Sequence, residues 1–291
     1  VTLSRPQVQR LLADHGLRPS RALGQNFVAD PNTVRRIVRL AGVEPGDPVV
    51  EVGAGLGSLT LALADAGARV LAVEVDRDLV PILRHVVADR PVTVVEADAL
   101  RLDWAALLSP AASTEPEPAP LTSTSPAAGH PWSLVANLPY NVATPLVIRV
   151  LEQAPQVASL LVMVQREVGE RLAALPRQPA YGAVSVTVAY WARASLVGRV
   201  SPEVFVPRPK VESALVRLDR LAEPAVPPAT VAYDRFRTVV RAGFAHRRKM
   251  LRRSLDGVVD PEAFAAVGVA PEARAEELDV EQWGRLAGWQ R

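Results

Sequence analysis

Pro48-Val49-Val50-Glu51-Val52-Gly53-Ala54-Gly55-Leu56-Gly57-Ser58 is the stretch whose reading decides the fold. A short apolar run that ends on a glycine-rich turn and passes into a helical pattern reads as a buried strand, a tight loop and a helix. Working outward, Ser58 to Ala66 carries helical spacing and Arg69 to Val75 is a second strand. Arg77 to Ala88 is helical again, and Val92 to Glu96 is a third strand. Further on, Ser133 to Ala136 is a strand, Pro145 to Glu152 a helix and Ser159 to Val164 a strand. Val204 to Leu218 is the last strand region, broken by Pro207 and Pro209. Strands alternating with helices predict a parallel sheet covered on both faces. From Tyr233 the pattern is helical without strand signals. The expectation is an α/β, Rossmann-like domain over 1–220 and a small C-terminal all-α domain over 231–291. The Pro-rich stretch Leu221–Thr230 would link them. Ser109 to Pro131, rich in Pro, Ala, Ser and Thr, is expected to be a flexible surface insertion.

The glycine loop sits where doubly wound folds bind nucleotides, at the carboxyl end of a strand. Its pattern is G-x-G-x-G, because Ser58 replaces the last glycine of the dinucleotide fingerprint. That disfavours a pyrophosphate cradle and favours a ligand lying across Gly53 and Gly55. Glu74 ends the second strand, where a carboxylate can accept hydrogen bonds from ribose hydroxyls. Asp98 follows the third strand, placed to accept from an adenine amino group. Together these describe an adenosine-containing ligand without a diphosphate, of which S-adenosylmethionine is the commonest.

Asn137-Leu138-Pro139-Tyr140 follows the fourth strand and so emerges at the same sheet edge. The amine on adenine C6 is a poor nucleophile because its lone pair is delocalised into the ring. Two acceptors for its hydrogens, the Asn137 side-chain oxygen and the Leu138 carbonyl, would favour the pyramidal amine. Pro139 stiffens the local backbone. Tyr140 offers a face on which an extruded base can stack. The chemistry would rest on positioning and electrostatics rather than on a general base.

Composition narrows the field. The chain has 291 residues, 49% hydrophobic and 22% charged, with no cysteine. Disulfides, thiolate metal sites and cysteine nucleophiles are therefore excluded. His15, His85, His130 and His246 lack metal-ligand spacing, so no metal is expected. The segment VTLSRPQVQRLLADHG does not read as a signal peptide, and no apolar run is long enough to span a membrane. A cytoplasmic monomer is expected. The net charge is only +2, but Arg235 to Arg253 holds eight basic residues and no acidic one. Arg247, Arg248 and Lys249 on this expected helix, with Arg208 and Lys210, are candidate RNA contacts.

These residues resemble the small-subunit ribosomal RNA adenine dimethyltransferases (KsgA/RsmA). The likeness runs through Leu23-Gly24-Gln25-Asn26-Phe27, the Glu51-to-Gly57 loop, Val73-Glu74-Val75-Asp76 and Glu96-Ala97-Asp98-Ala99. It continues through Asn137–Tyr140, Phe205-Val206-Pro207-Arg208-Pro209-Lys210-Val211-Glu212-Ser213 and Arg247-Arg248-Lys249. The resemblance implies a class I S-adenosylmethionine-dependent methyltransferase domain in which Asn26, Val28, Gly53, Glu74, Asp98 and Asn137 contact the cofactor. It implies a target pocket of Asn137, Tyr140 and Phe205, with Phe205 closing over the base. The implied product is N6,N6-dimethyladenosine at two adjacent positions in the 3′-terminal hairpin of 16S rRNA, made on an immature small subunit. Val28, Ala54, Glu212 and Met250 depart from the residues usual in that family. Two other functions remain open on sequence: dimethylation of a 23S rRNA adenosine of the macrolide-resistance type, and a non-catalytic assembly or transcription factor.

Overall fold

The computed structural model describes residues 2–20, 23–109, 130–246 and 248–290. Most of the expected insertion (residues 110–129) and the candidate Arg247 lie outside the described residues. The strands are β1 (Phe27–Val28), β2 (Pro48–Val52), β3 (Arg69–Glu74), β4 (Val92–Glu96), β5 (Trp132–Asn137), β6 (Val157–Gln165), β7 (Ala192–Val200), β8 (Phe205–Val206) and β9 (Ser213–Arg220). The helices are α1 (Arg5–Asp14), α2 (Pro31–Ala41), α3 (Ser58–Asp65), α4 (Val80–Val86), α5 (Trp104–Leu107), α6 (Ala143–Gln153), α7 (Arg166–Leu172), α8 (Ala183–Trp191), α9 (Tyr233–Ala245), α10 (Leu251–Ser254), α11 (Pro261–Ala266) and α12 (Val280–Gly288).

Seven strands form one sheet in the order β4-β3-β2-β5-β6-β9-β7. Strands β2 to β6 run parallel, and β9 returns antiparallel against β6. All five residues of β2 are buried, as expected of a strand covered on both faces. From β2 the chain runs outward through β3 and β4 on one side, and from β5 through β6 on the other, so the loops after β2 and β5 open at a topological switch point. A separate two-stranded ribbon pairs β1 with β8, Phe27 opposite Val206 and Val28 opposite Phe205. Helix α2 starts cleanly because Asp30 accepts from Thr33 N and Pro31 takes the first turn; Gly42 closes it in a left-handed conformation.

The chain divides into two compact units, and the boundary differs from the contiguous one expected. The first unit is Val1–Gly169 with Ser195–Asp219; the second is Glu170–Ala194 with Arg220–Arg291. The stretch 170–194 therefore leaves the expected 1–220 domain. Tyr181, Val186 and Tyr190 bury in one cluster with Phe236, Val239 and Trp283, and Tyr181 Oη donates to Leu278 O at 2.8 Å. The apolar burial available there outweighs sequence proximity to the sheet.

The long basic helix also needs correction. Helix α9 stops at Ala245, and Arg248 and Lys249 lie in the turn that follows. Its buried stripe is Phe236, Val239, Val240 and Gly243. Residues 246–249 (His-Arg-Arg-Lys) add nothing apolar to that stripe, so a further turn would have no face to pack. Lys249 N bonds back to His246 O at 2.8 Å, and the chain restarts so that Leu251 is buried.

Candidate functional site

The glycine loop is built by close approach. Gly53 and Gly55 have φ of 72° and 57°, in the left-handed region. A Cβ on Gly55 would meet the Phe27 ring at 3.0 Å. Gly55 N donates to Glu74 Oε2 at 2.7 Å, while Val75 N and Asp76 N donate to Oε1 at 2.9 and 3.0 Å. Glu74 thus ties the loop after β2 to the turn after β3. Burial raises its pKa, and the N–H groups of Asp76, Gly55 and Val75 oppose that rise in part.

Asn137, the last residue of β5, donates from Nδ2 to Asn26 O at 3.0 Å. That bond fixes which way the amide faces and leaves Oδ1 as its acceptor end. Leu138 N donates to Met163 O at 3.0 Å, which pins the residue whose carbonyl is the second expected acceptor. A Cβ on Gly53 would lie 3.6 Å from both Asn137 O and Pro139 Cδ, so the two loops are in contact.

Residues 23–28 close over these loops. A Cβ on Gly24 would lie 3.1 Å from Pro139 Cβ. Gln25 Nε2 donates to Asp76 Oδ2 at 2.6 Å, and Gln25 Oε1 accepts from Ser20 N at 2.7 Å. The segment contacts all three motif loops, which explains physically why it belongs to the site.

One cavity is lined by Asn26, Val28, Gly53, Gly55, Glu74, Asp98, Asn137 and Pro139 together. Asp98 is at its rim, its Oδ1 accepting from Leu100 N at 2.9 Å. Three candidates do not line it. Leu138 and Phe205 are only 1% exposed, and Tyr140 is half-buried. Phe205 departs from the expectation of a lid on the base: its backbone pairs with Val28 and its ring packs into the core of the first unit. Arg208 and Lys210 are exposed in the first unit, and Arg248 and Lys249 in the second.

The cavity also holds residues not picked out from sequence. Glu51 lies fully buried within β2, and burial raises its pKa to about 8; the Thr60 hydroxyl pulls this back and the Glu74 carboxylate adds to it. Among the described residues, Glu51 Oε2 and Ser58 Oγ are buried without hydrogen-bond partners, and both residues line the cavity. The signal was present, since an acid inside an apolar strand run is costly unless used. Val75, 47% exposed beside Glu74, and Leu100 beside Asp98 give the cavity apolar walls.

A doubly wound sheet with an antiparallel β9 and a cavity at its switch point, lined by the glycine loop, Glu74, Asp98 and Asn137, defines the class I methyltransferase fold. Two solved structures share it. The 23S rRNA methyltransferase ErmE is 30% identical with a TM-score of 0.64, over 90% of this chain and 98% of that one. A dimethyladenosine transferase from Plasmodium falciparum, 20% identical with a TM-score of 0.66 over 88% and 94%, agrees in fold. The chain belongs to the ribosomal RNA adenine dimethylase family, whose pattern matches residues 17–290. Its relatives include ribosomal RNA small subunit methyltransferase A of Rhodococcus erythropolis (strain PR4), 44% identical over 97% of this chain and 91% of that protein. The same-named protein of Thermobifida fusca (strain YX) is 45% identical over 98% and 95%.

Proposed function

We propose that the chain transfers methyl groups from S-adenosylmethionine to N6 of two adjacent adenosines in the 3′-terminal hairpin of 16S rRNA. It acts as a cytoplasmic monomer on an immature small subunit. The observation that carries this reading is the Asn137 amide, held by Asn26 O so that its oxygen is the acceptor end, in the same cavity as the glycine loop and Glu74.

The residues present fit the cofactor. Orphaned Glu51 Oε2 suits an ammonium group, and Ser58 Oγ suits the carboxylate of the same amino-acid end. Glu74 has lone pairs left for ribose hydroxyls, Asp98 would accept from the adenine amine, and Val75 and Leu100 would give the ring an apolar surface. When bound, S-adenosylmethionine supplies an electrophilic methyl group on a sulfonium that leaves as a neutral thioether. The protein's part is to make N6 nucleophilic and hold it in line. Asn137 Oδ1 and Leu138 O accept the two N6 hydrogens, which localises the lone pair on nitrogen. As N6 forms its new bond to carbon it becomes cationic, and the same two acceptors stabilise that charge. The proton then leaves N6 to solvent, restoring the lone pair for a second transfer. Tyr140 gives the extruded base a surface to stack on. Arg208, Lys210, Arg248 and Lys249, with Arg247, contact RNA phosphates.

Similarity to ErmE favours a second reading, methylation of 23S rRNA. The relatives named for the small subunit are closer in sequence, at 44% and 45% identity. Incubating the protein with labelled cofactor and either immature small subunits or naked 23S rRNA separates the two. Label in dimethyladenosine of 16S rRNA alone is expected; label in 23S rRNA alone would reverse the assignment.

A further inference from the structure

The Phe205–Ser213 motif ends on a buried hydroxyl. Ser213 is 1% exposed and pairs across β9 to Gln165, at the carboxyl end of β6. Strand β6 pairs in turn with β5, where Met163 lies beside Asn137. The start of β9 therefore shares a sheet edge with the Asn137–Tyr140 turn. There Ser213 Oγ lies 3.2 Å from Tyr140 Oη, a side-chain hydrogen bond between residues 73 apart in sequence.

The serine's position is set by more than the strand. Arg166 N donates to Glu212 O at 3.0 Å, and the Arg166 guanidinium pairs with the Glu212 carboxylate at 2.9 Å. Both contacts fix the residue before Ser213. The tyrosine hydroxyl remains protonated, because burial raises its pKa against the weaker pull of the Ser213 contact. A ring held at its hydroxyl end cannot swing about its Cα–Cβ bond without breaking that hydrogen bond.

We infer that Ser213 is a positioning residue for Tyr140. It fixes where the ring against which the target adenine stacks is placed, and so the distance of N6 from the Asn137 acceptor. The inference rests on the proposed adenine methylation, and it assigns Ser213 to the RNA step alone, leaving cofactor binding to the cavity residues. Small tilts of a bound base are costly because transfer needs near-attack alignment.

The test combines Ser213→Ala, Tyr140→Phe and the double variant. Each single variant should lose roughly five- to tenfold in kcat/KM for immature small subunits, the size of one hydrogen bond. The double variant should lose no more than either, and the cofactor Kd should be unchanged in all three. A second arm does not depend on activity. The chain has four tyrosines, so fluorotyrosine labelling gives a four-line fluorine spectrum, and Ser213→Ala should move the Tyr140 line most. Wild-type kcat/KM in Ser213→Ala, losses that multiply in the double variant, a parallel loss of cofactor affinity or an unmoved Tyr140 line would each overturn the inference. A wild-type protein that methylates no adenosine would reject the proposed function and this role with it; an active wild type with an indifferent Ser213→Ala rejects this role alone.

Discussion

A carboxyl group shut away from water keeps its proton, and Glu51 is such a group. Its carboxyl has an ordinary value of 4.5, and burial in the folded chain pushes it up to about 8. Between those values the folded state binds the proton that the unfolded state has released. Stability therefore falls as pH rises across that window, by about 1.4 kcal/mol per unit from this group. Glu51→Gln should remove the slope, so its Tm should overtake that of the wild type as pH approaches 8; parallel Tm curves would refute the assignment. Cofactor affinity should move the opposite way. If Glu51 meets an ammonium, the ionised form binds better, and affinity should increase with pH through the same window in the wild type but not in Glu51→Gln. Asn137 makes a different demand. Asn137→Ala removes the acceptor at the end of β5 and keeps the strand's backbone hydrogen bonds, so transfer should drop roughly a hundred- to a thousandfold, the scale of lost transition-state electrostatics, while the circular dichroism spectrum and Tm change little. Near-normal turnover would exclude the amide acceptor.

At the scale of elements, the segment before α2 matters most. Gly55→Ala would place a Cβ 3.0 Å from the Phe27 ring at a φ of 57°. The backbone strain alone costs about 1 kcal/mol or more, and Phe27 must retreat, so cofactor Kd by calorimetry should rise alongside the loss in Tm. Gln25→Ala breaks the bond to Asp76 and should speed cofactor release in stopped-flow displacement while leaving Tm nearly unchanged. An unaltered release rate would show that the contact does not hold the segment closed. These contacts also mark where sequence was silent. Strands β2, β3 and β4 were legible because their apolar runs end on glycine or acid, and Gly53, Glu74 and Asn137 were legible because strand ends converge at a switch point. Strand β1 is two residues long, and β7 exposes Arg193, Leu196 and Arg199; neither carries the burial pattern from which a strand is read. The placement of Gln25 on Asp76, and of Phe205 in the core, depends on partners 51 residues away and further. No local period encodes such partners.

For the whole molecule, the discontinuous second unit is the feature with the largest effect. A chain cut after Leu221 would keep Tyr181, Val186 and Tyr190 but lose Phe236, Val239 and Trp283, which bury them. That fragment should aggregate or bind a hydrophobic dye, whereas cooperative unfolding of a soluble fragment would contradict the division. Arg248 and Lys249 are exposed in that unit. Replacing both with alanine should flatten the salt dependence of RNA affinity by roughly one to two released counterions, and an unchanged slope would remove them from the contact. The division has a consequence in time as well as in space. Ribosomes deliver the chain from its amino end, so the aromatic side chains of α8 emerge long before those of α12. At common elongation speeds the wait between Trp191 and Trp283 is roughly 5 to 20 seconds. During that interval the nascent polypeptide carries uncovered rings, and a chaperone able to shield Tyr181 and Tyr190 would raise the yield of active protein more than one acting on the amino-terminal strands.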